Sequence, residues 1–273
     1  MKFADSLELA DFLRKNNLRA DHALGQNFLV DEEVLAEILK SAELDSADNV
    51  IEVGAGLGVL TRALAERVRS VTALEFDANI FPALKKNLQD LGNIDLQNID
   101  VRKFTPLNDD FKLIANIPYY LTSPILRKFF IENNPPEIAV LLVQKEVAEK
   151  ICAFEKLSVL ALEVKIFGEP EIIEVVKPDS FLPPPKVESA ILKIRRKENP
   201  EIPRTDLEDF FKIIHAGFHA PRKKIRGSFA AGFIGKKEIA EKILEQAGVD
   251  LDLRPEDLEI RDWQKILAAS RRL

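Results

Sequence analysis

The residues best suited to chemistry lie in Ala115-Asn116-Ile117-Pro118-Tyr119-Tyr120, directly after the apolar run Leu113 to Ala115. An amino group on an aromatic ring is a poor nucleophile, because its lone pair is delocalised into the ring. Two acceptors at a fixed separation can hold its hydrogens and draw the nitrogen towards pyramidal geometry. The Asn116 side-chain oxygen and the Ile117 carbonyl can form such a pair, with Pro118 fixing the turn by locking its own φ. Tyr119 offers a ring face for an extruded base, recovering part of an unstacking cost of about a few kcal/mol. The same residues also suit a plain turn, with Tyr119 in the core and its hydroxyl satisfied.

Upstream, Val50-Ile51-Glu52-Val53-Gly54-Ala55-Gly56-Leu57-Gly58 sets glycines between an apolar run and a segment carrying Leu60, Leu64 and Val68 at helical spacing. Gly54 and Gly56 permit a tight turn and let a ligand lie against bare backbone at a helix start, which suits a nucleoside cofactor. A glycine loop alone is equally at home as a turn. Glu75 ends the next apolar run about twenty residues on, where an acid can accept both hydroxyl protons of a ribose. Asp77, two residues later, shows how readily an acid stands at such a place without a task. Asp100 follows a third run and could accept from an adenine amino group of the cofactor, or serve as an ordinary turn aspartate.

These residues need elements to hold them. Short β-branched runs at Val50–Val53, Val71–Leu74, Ile94–Gln97, Leu113–Ala115 and Ile138–Val143 alternate with helical stretches, predicting a parallel sheet covered on both faces. Val164–Val176, interrupted by Gly168 and Pro170, and Val187–Ile194 predict an antiparallel closing pair. Seven strands with that finish suit a Rossmann-like α/β methyltransferase sheet better than a dinucleotide dehydrogenase. Helices are expected over Asp5–Lys15, with a stop at Asn16-Asn17, and over Asp31–Lys40, with a loop at Leu24–Leu29 between them. Pro200 and Pro203 mark a linker, after which Leu207–Ala216, Lys237–Gln246 and Ile260–Ala269 predict a small all-α domain.

A length of 273 residues with 46% hydrophobic content allows one large domain and a small one, and excludes disorder as the default. Cys152 is the single cysteine, which excludes an intramolecular disulfide and fits a reducing cytoplasm. The leading residues lack the apolar core of a signal peptide, and no stretch is long enough to span a bilayer, so a membrane partner is not expected. His22, His215 and His219 are too scattered to suggest a metal site, and none is assigned. A net charge of −6 argues against coating nucleic acid by overall charge, yet Ala190–Ala230 carries ten basic against five acidic residues, net +5. That segment suits either a solvated helix face or a local anion site.

Gln26-Asn27-Phe28-Leu29, Glu52-Val53-Gly54-Ala55-Gly56, Asn116-Ile117-Pro118-Tyr119 and Phe181-Leu182-Pro183-Pro184-Pro185-Lys186-Val187 together resemble, in order and spacing, the ribosomal RNA adenine dimethyltransferases. The resemblance runs from about Ser6 to Trp263. It implies a seven-stranded class I methyltransferase domain at 1–198 and a small helical RNA-binding domain at 199–273. It implies S-adenosylmethionine as cofactor, contacted by Asn27, Leu29, Gly54, Gly56, Glu75, Asp100 and Asn116. Asn116 and Tyr119 match the target-adenine site, and Phe181 matches the aromatic on the other face of the base. His219-Ala220-Pro221-Arg222-Lys223-Lys224-Ile225-Arg226 resembles the family's basic helix start, making Arg222, Lys223, Lys224 and Arg226 the expected phosphate contacts. The implied reaction is double methylation of two adjacent adenines near the end of small-subunit ribosomal RNA. The expected partner is that RNA or the assembled small subunit, met by a monomer.

The sequence departs from the family at Ile99, at Asp21-His22-Ala23 and at Cys152–Leu157, where a small residue, a basic approach and a glycine-tyrosine pair are usual. Three other functions compete. A resistance-type enzyme would methylate a large-subunit adenine, although Pro183–Ala190 is closer to the housekeeping branch. An RNA-binding assembly factor would lack turnover, against which stand Asn116, Tyr119 and the glycine loop. A nicotinamide dehydrogenase is the third.

Overall fold

Continuous aliphatic runs need cover on both faces, and they occupy the middle of a seven-stranded sheet. The computed structural model describes residues 6–21, 24–107, 110–233 and 237–272. Its strands are β1 (Phe28–Leu29), β2 (Asn49–Val53), β3 (Ser70–Glu75), β4 (Ile94–Asn98), β5 (Lys112–Asn116), β6 (Ile138–Gln144), β7 (Gly168–Val176), β8 (Phe181–Leu182) and β9 (Ser189–Arg196). The large sheet has the order β4-β3-β2-β5-β6-β9-β7, with β2 through β6 parallel and β9 antiparallel to β6. Almost every residue of β2, β5 and β6 is buried, whereas the outer strands β4 and β7 are largely half-buried or exposed. The strand order reverses between β2 and β5, and Val53 pairs with Ala115 there. Their carboxyl ends therefore open the crevice in which such sheets take ligands.

The helices are α1 (Ser6–Lys15), α2 (Glu32–Ser41), α3 (Val59–Ala65), α4 (Phe81–Asn87), α5 (Thr122–Arg127), α6 (Lys145–Cys152), α7 (Val159–Phe167), α8 (Leu207–Gly217), α9 (Ile225–Gly232), α10 (Lys237–Ala247) and α11 (Ile260–Ser270). Asn17 ends α1 with a positive φ of 53°, a conformation its short polar side chain tolerates. Asp31 caps α2 by accepting from the amides of Glu33 and Val34, and its other oxygen accepts from Ser180 Oγ at 2.7 Å. Asp5 and His22 lie outside the described residues.

Two expectations are corrected. Val164–Val176 is not one strand: α7 runs through Phe167 and β7 begins at Gly168. The helix is apolar on nearly every side, so its sequence has no polar face to separate it from a buried strand. The Leu24–Leu29 loop ends in β1, which pairs antiparallel with β8, Phe28 opposite Leu182 and Leu29 opposite Phe181. Contacts group Lys150–Gly168 with Lys197–Leu273 as one unit, and the rest of the chain through Arg196 as the other.

Within that C-terminal unit, α8 packs on α9 and α11, and α10 on both α9 and α11. Trp263 is fully buried and stacks on Phe218 with ring centroids 5.6 Å apart. A β-carbon on Gly217 would lie 2.3 Å from the Trp263 ring, so only glycine lets α8 approach it. Gly217→Ala is expected to destabilise this unit by about 1–3 kcal/mol, the usual scale of overpacking, read as a lower denaturation midpoint. An unchanged midpoint would show that the indole moves aside freely. Among the described residues, no helix is long and apolar enough to cross a membrane.

Candidate active site

Gly54 and Asn116 follow immediately from the paired ends of β2 and β5, so the glycine loop and the Asn116 loop meet at the reversal of strand order. Gly54 has φ +80°, and a β-carbon there would lie 3.3 Å from the Asn116 carbonyl oxygen. Glycine thus meets two demands, a left-handed turn and close backbone approach. The Gly54 and Ala55 amides donate to Leu74 O at 2.8 and 3.1 Å, drawing the loop towards the end of β3.

Glu75 stands at that end, 7% exposed. Its carboxylate accepts from Gly56 N and Asp77 N, each at 2.8 Å, which leaves further lone pairs for hydroxyl protons. Burial pushes its pKa up, against the pull of the two amides. Asp77 is not idle: it accepts from Gln26 Nε2 at 2.8 Å and so ties the β1 approach to the loop after β3. Asp100 reaches the same cleft, lined also by Glu75, Ile99, Arg102, Pro118 and Tyr120. Its carboxylate is gripped by Arg102 through Nε at 3.0 Å and Nη2 at 2.5 Å, which holds its pKa below the ordinary range. Sequence reasoning assigned no role to Arg102 or to Gln26.

The Asn116 amide nitrogen donates to Asn27 O at 3.0 Å. That bond fixes the side chain and leaves Oδ1 as an acceptor, while Asn27 Nδ2 donates to Gly25 O at 3.1 Å. Asn27, Gly54, Gly56, Asn116, Ile117, Tyr119 and Phe181 line one cavity. The half-buried Tyr119 shares a hydrogen bond with Ser189 Oγ at 2.7 Å, which anchors its ring, and burial raises its pKa. Phe181 is 4% exposed, packed in the apolar core with Leu29, and presents only part of its ring to the cavity.

Glu52 lines an adjoining cavity with Gly54, Leu57, Leu29 and Asn116. It is 1% exposed, and its Oε2 lacks a hydrogen-bond partner, as does the nearby Thr61 hydroxyl. Burial, with a smaller push from the Glu75 charge, raises its pKa to about 8. An unpartnered carboxyl oxygen beside bare glycine backbone fits a polar nucleoside ligand. A carboxyl whose pKa is raised holds its proton more tightly folded than unfolded. Stability is therefore untouched below about pH 4.5 and falls as the pH rises towards about 8. Glu52→Gln should gain on the parent over that window, by at most about 1.4 kcal/mol for each step of one in pH, in urea titrations. A constant gap would mean that Glu52 is ionised throughout.

The basic run Ala190–Ala230 is not one surface. Lys193 and Arg195 lie on β9 and pair with Glu43, whereas Arg222, Lys223, Lys224 and Arg226 are exposed around the start of α9 in the other unit. Among these four, Lys224 pairs with Asp252 at 2.8 Å.

Sequence comparison matches residues 17–269 to the ribosomal RNA adenine dimethylase family. The chain is 39% identical over 255 residues to ribosomal RNA small subunit methyltransferase A of Dehalococcoides mccartyi, covering 91% of this chain and 88% of that protein. It is 34% identical over 264 residues to the Clostridium botulinum protein of the same name, covering 94% and 96%. Among solved structures it is similar to a dimethyladenosine transferase from Plasmodium falciparum, with TM-score 0.76, 25% identity and coverage of 90% and 98%. It also resembles the 23S rRNA methyltransferase ErmE, with TM-score 0.70, 30% identity and coverage of 90% and 100%.

Proposed function

Because the chain belongs to the ribosomal RNA adenine dimethylase family, we propose that it methylates the exocyclic amino groups of two adjacent adenines near the end of small-subunit ribosomal RNA, using S-adenosylmethionine. The observation that carries the reading is Asn116: its amide nitrogen is held by the Asn27 carbonyl and its oxygen is left as an acceptor beside Ile117 and Tyr119. The small-subunit target is favoured over the large because the curated relatives at 34–39% identity carry the small-subunit name, against 30% for ErmE.

The cofactor, when bound, supplies an electrophilic methyl group on a sulfonium and takes up the electron pair of the broken carbon–sulfur bond. Glu75 accepts the ribose hydroxyls, and Asp100 the adenine amino group. Asn27, Leu29, Gly54 and Gly56 border the same space with backbone, and Glu52 gives it a buried carboxyl. On the other side, Asn116 Oδ1 and the Ile117 carbonyl hold the hydrogens of the target nitrogen, and Tyr119 stacks on the base with Phe181 at its opposite face. The nitrogen loses a proton to water after transfer, so no strongly basic side chain is required. Positioning supplies most of the acceleration, for which oriented neighbours are worth up to about 7–11 kcal/mol.

Transfer of labelled methyl groups to small ribosomal subunits lacking the modification, followed by nucleoside analysis, tests the reading. Dimethyladenosine in the small-subunit RNA is expected. Label confined to large-subunit RNA would move the target, and no transfer despite cofactor binding would refute the activity. Arg222, Lys223 and Lys224 serve RNA phosphate in this reading. Replacing all three with glutamine should weaken RNA binding and flatten its salt dependence by about 2 in log–log slope, at about 0.7 per lost contact on a single strand. Arg222 and Lys223 should account for most of it, since Lys224 already has Asp252. Equal slopes would remove the helix start from the interface.

A further inference from the structure

Beside the cofactor cleft lies a second, wider one of about 460 Å³, lined by Arg102, Ser123, Pro124, Arg127, Lys128 and Glu132. Arg127 and Lys128 line it with one carboxylate, Glu132, while the Arg102 guanidinium is already paired with Asp100. Arg102 lines both clefts, so the two adjoin within one unit. The Lys128 side chain is only 11% exposed, and its ammonium is held in place by a bond to Arg102 O at 3.1 Å. Glu132 stands off at 3.9 Å, so donors of Lys128 stay available to the cleft. Ser123, Pro124 and Arg127 are exposed along α5. Tyr119 leads into that helix by a single turn, closed by Thr122 Oγ donating to Tyr119 O at 3.1 Å. Two adjacent cations, Lys128 anchored and Arg127 exposed, next to a loop that takes one nucleotide, complement the backbone of the strand to which the nucleotide belongs.

We propose that this cleft seats backbone phosphates flanking the adenine delivered to Asn116, with Arg127 and Lys128 as the contacts. The proposal rests on the RNA-modifying reading above, and it adds a phosphate seat in the sheet unit, separate in sequence from the basic start of α9. Neither residue lines the cofactor cleft, and Lys128 reaches only the backbone carbonyl of Arg102.

The test compares the parent chain, Arg127→Gln and the pair Arg127→Gln/Lys128→Gln for binding of an RNA oligonucleotide with two adjacent adenines, across a salt series. Cofactor affinity is measured alongside. The pair should bind RNA about tenfold more weakly, with a log–log salt slope shallower by about 1.4, at about 0.7 per phosphate contact on a single strand. Cofactor affinity should be unchanged. Arg127→Gln alone, at an exposed position that folding tolerates, should give about half the change in slope. Unchanged slopes in both variants would overturn the seat, as would an effect seen with inorganic phosphate but not with RNA. If the parent binds RNA with the steeper slope but transfers no methyl group, the activity falls and the seat stands. If it binds no RNA, both fall.

Discussion

Asn116→Ala is expected to lower the rate of methyl transfer by about 10²–10³, the usual loss when one positioned hydrogen-bonding group is removed from a reacting centre. The substitution deletes the acceptor for the target nitrogen and also the donor that meets Asn27 O at 3.0 Å. Cofactor affinity should fall much less, because Glu75, Gly54 and Asp100 are held by other partners. Single-turnover rates with saturating cofactor and subunit separate the two effects. Asn116→Asp refines the result: it keeps acceptors but loses the donor to Asn27, and should recover only part of the rate. A turnover unchanged in the alanine variant would remove Asn116 from the chemistry.

Glu75→Gln should do the reverse. Hydrogen bonds to a charged group are worth about 1.5–3 kcal/mol, so the dissociation constant for the cofactor should rise by about 10–150-fold. The rate at saturation should be nearly preserved. The amide also turns a donor towards Gly56 N or Asp77 N, each of which now has a carboxylate oxygen at 2.8 Å, and part of the loss comes from that mismatch. Because burial raises the Glu75 pKa, the parent's cofactor affinity should decline on acidification at a higher pH than an ordinary glutamate would dictate, a dependence the variant lacks. A parallel pH profile in both would assign the titration to another group.

Much of this was legible in the sequence because the signals were local. Five apolar runs, each bounded by turn residues, matched β2 to β6 within about one or two residues. Glycines between a strand and a helix start can mean little else than a turn whose backbone is accessible, and Gly54 and Gly56 both have positive φ. What escaped depends on partners remote in sequence. Two residues at Phe28-Leu29 cannot announce a strand whose mate is Phe181-Leu182. Tyr119 gave no hint of Ser189, nor Asp77 of Gln26, because side-chain hydrogen bonds obey no period. The net charge of Ala190–Ala230 misled for the same reason: charge sums along the chain ignore that Lys193 and Arg195 already serve Glu43. Arg102 lay only two residues from an aspartate that was noticed, and pairing so near in sequence was there to be found.

The pairing of β1 with β8 also bears on when, during synthesis, the catalytic pocket comes into being. Asn27, whose carbonyl steadies Asn116, leaves the ribosome early, but the strand that pins its neighbour Phe28 ends at Leu182. The sheet edge from β2 to β6 is complete by Gln144, well before that mate is translated. A nascent chain halted between those points would carry the glycine loop and Asn116 without the β1–β8 pair that pins Phe28. The pocket therefore acquires its full set of strand partners only once Leu182 has been translated.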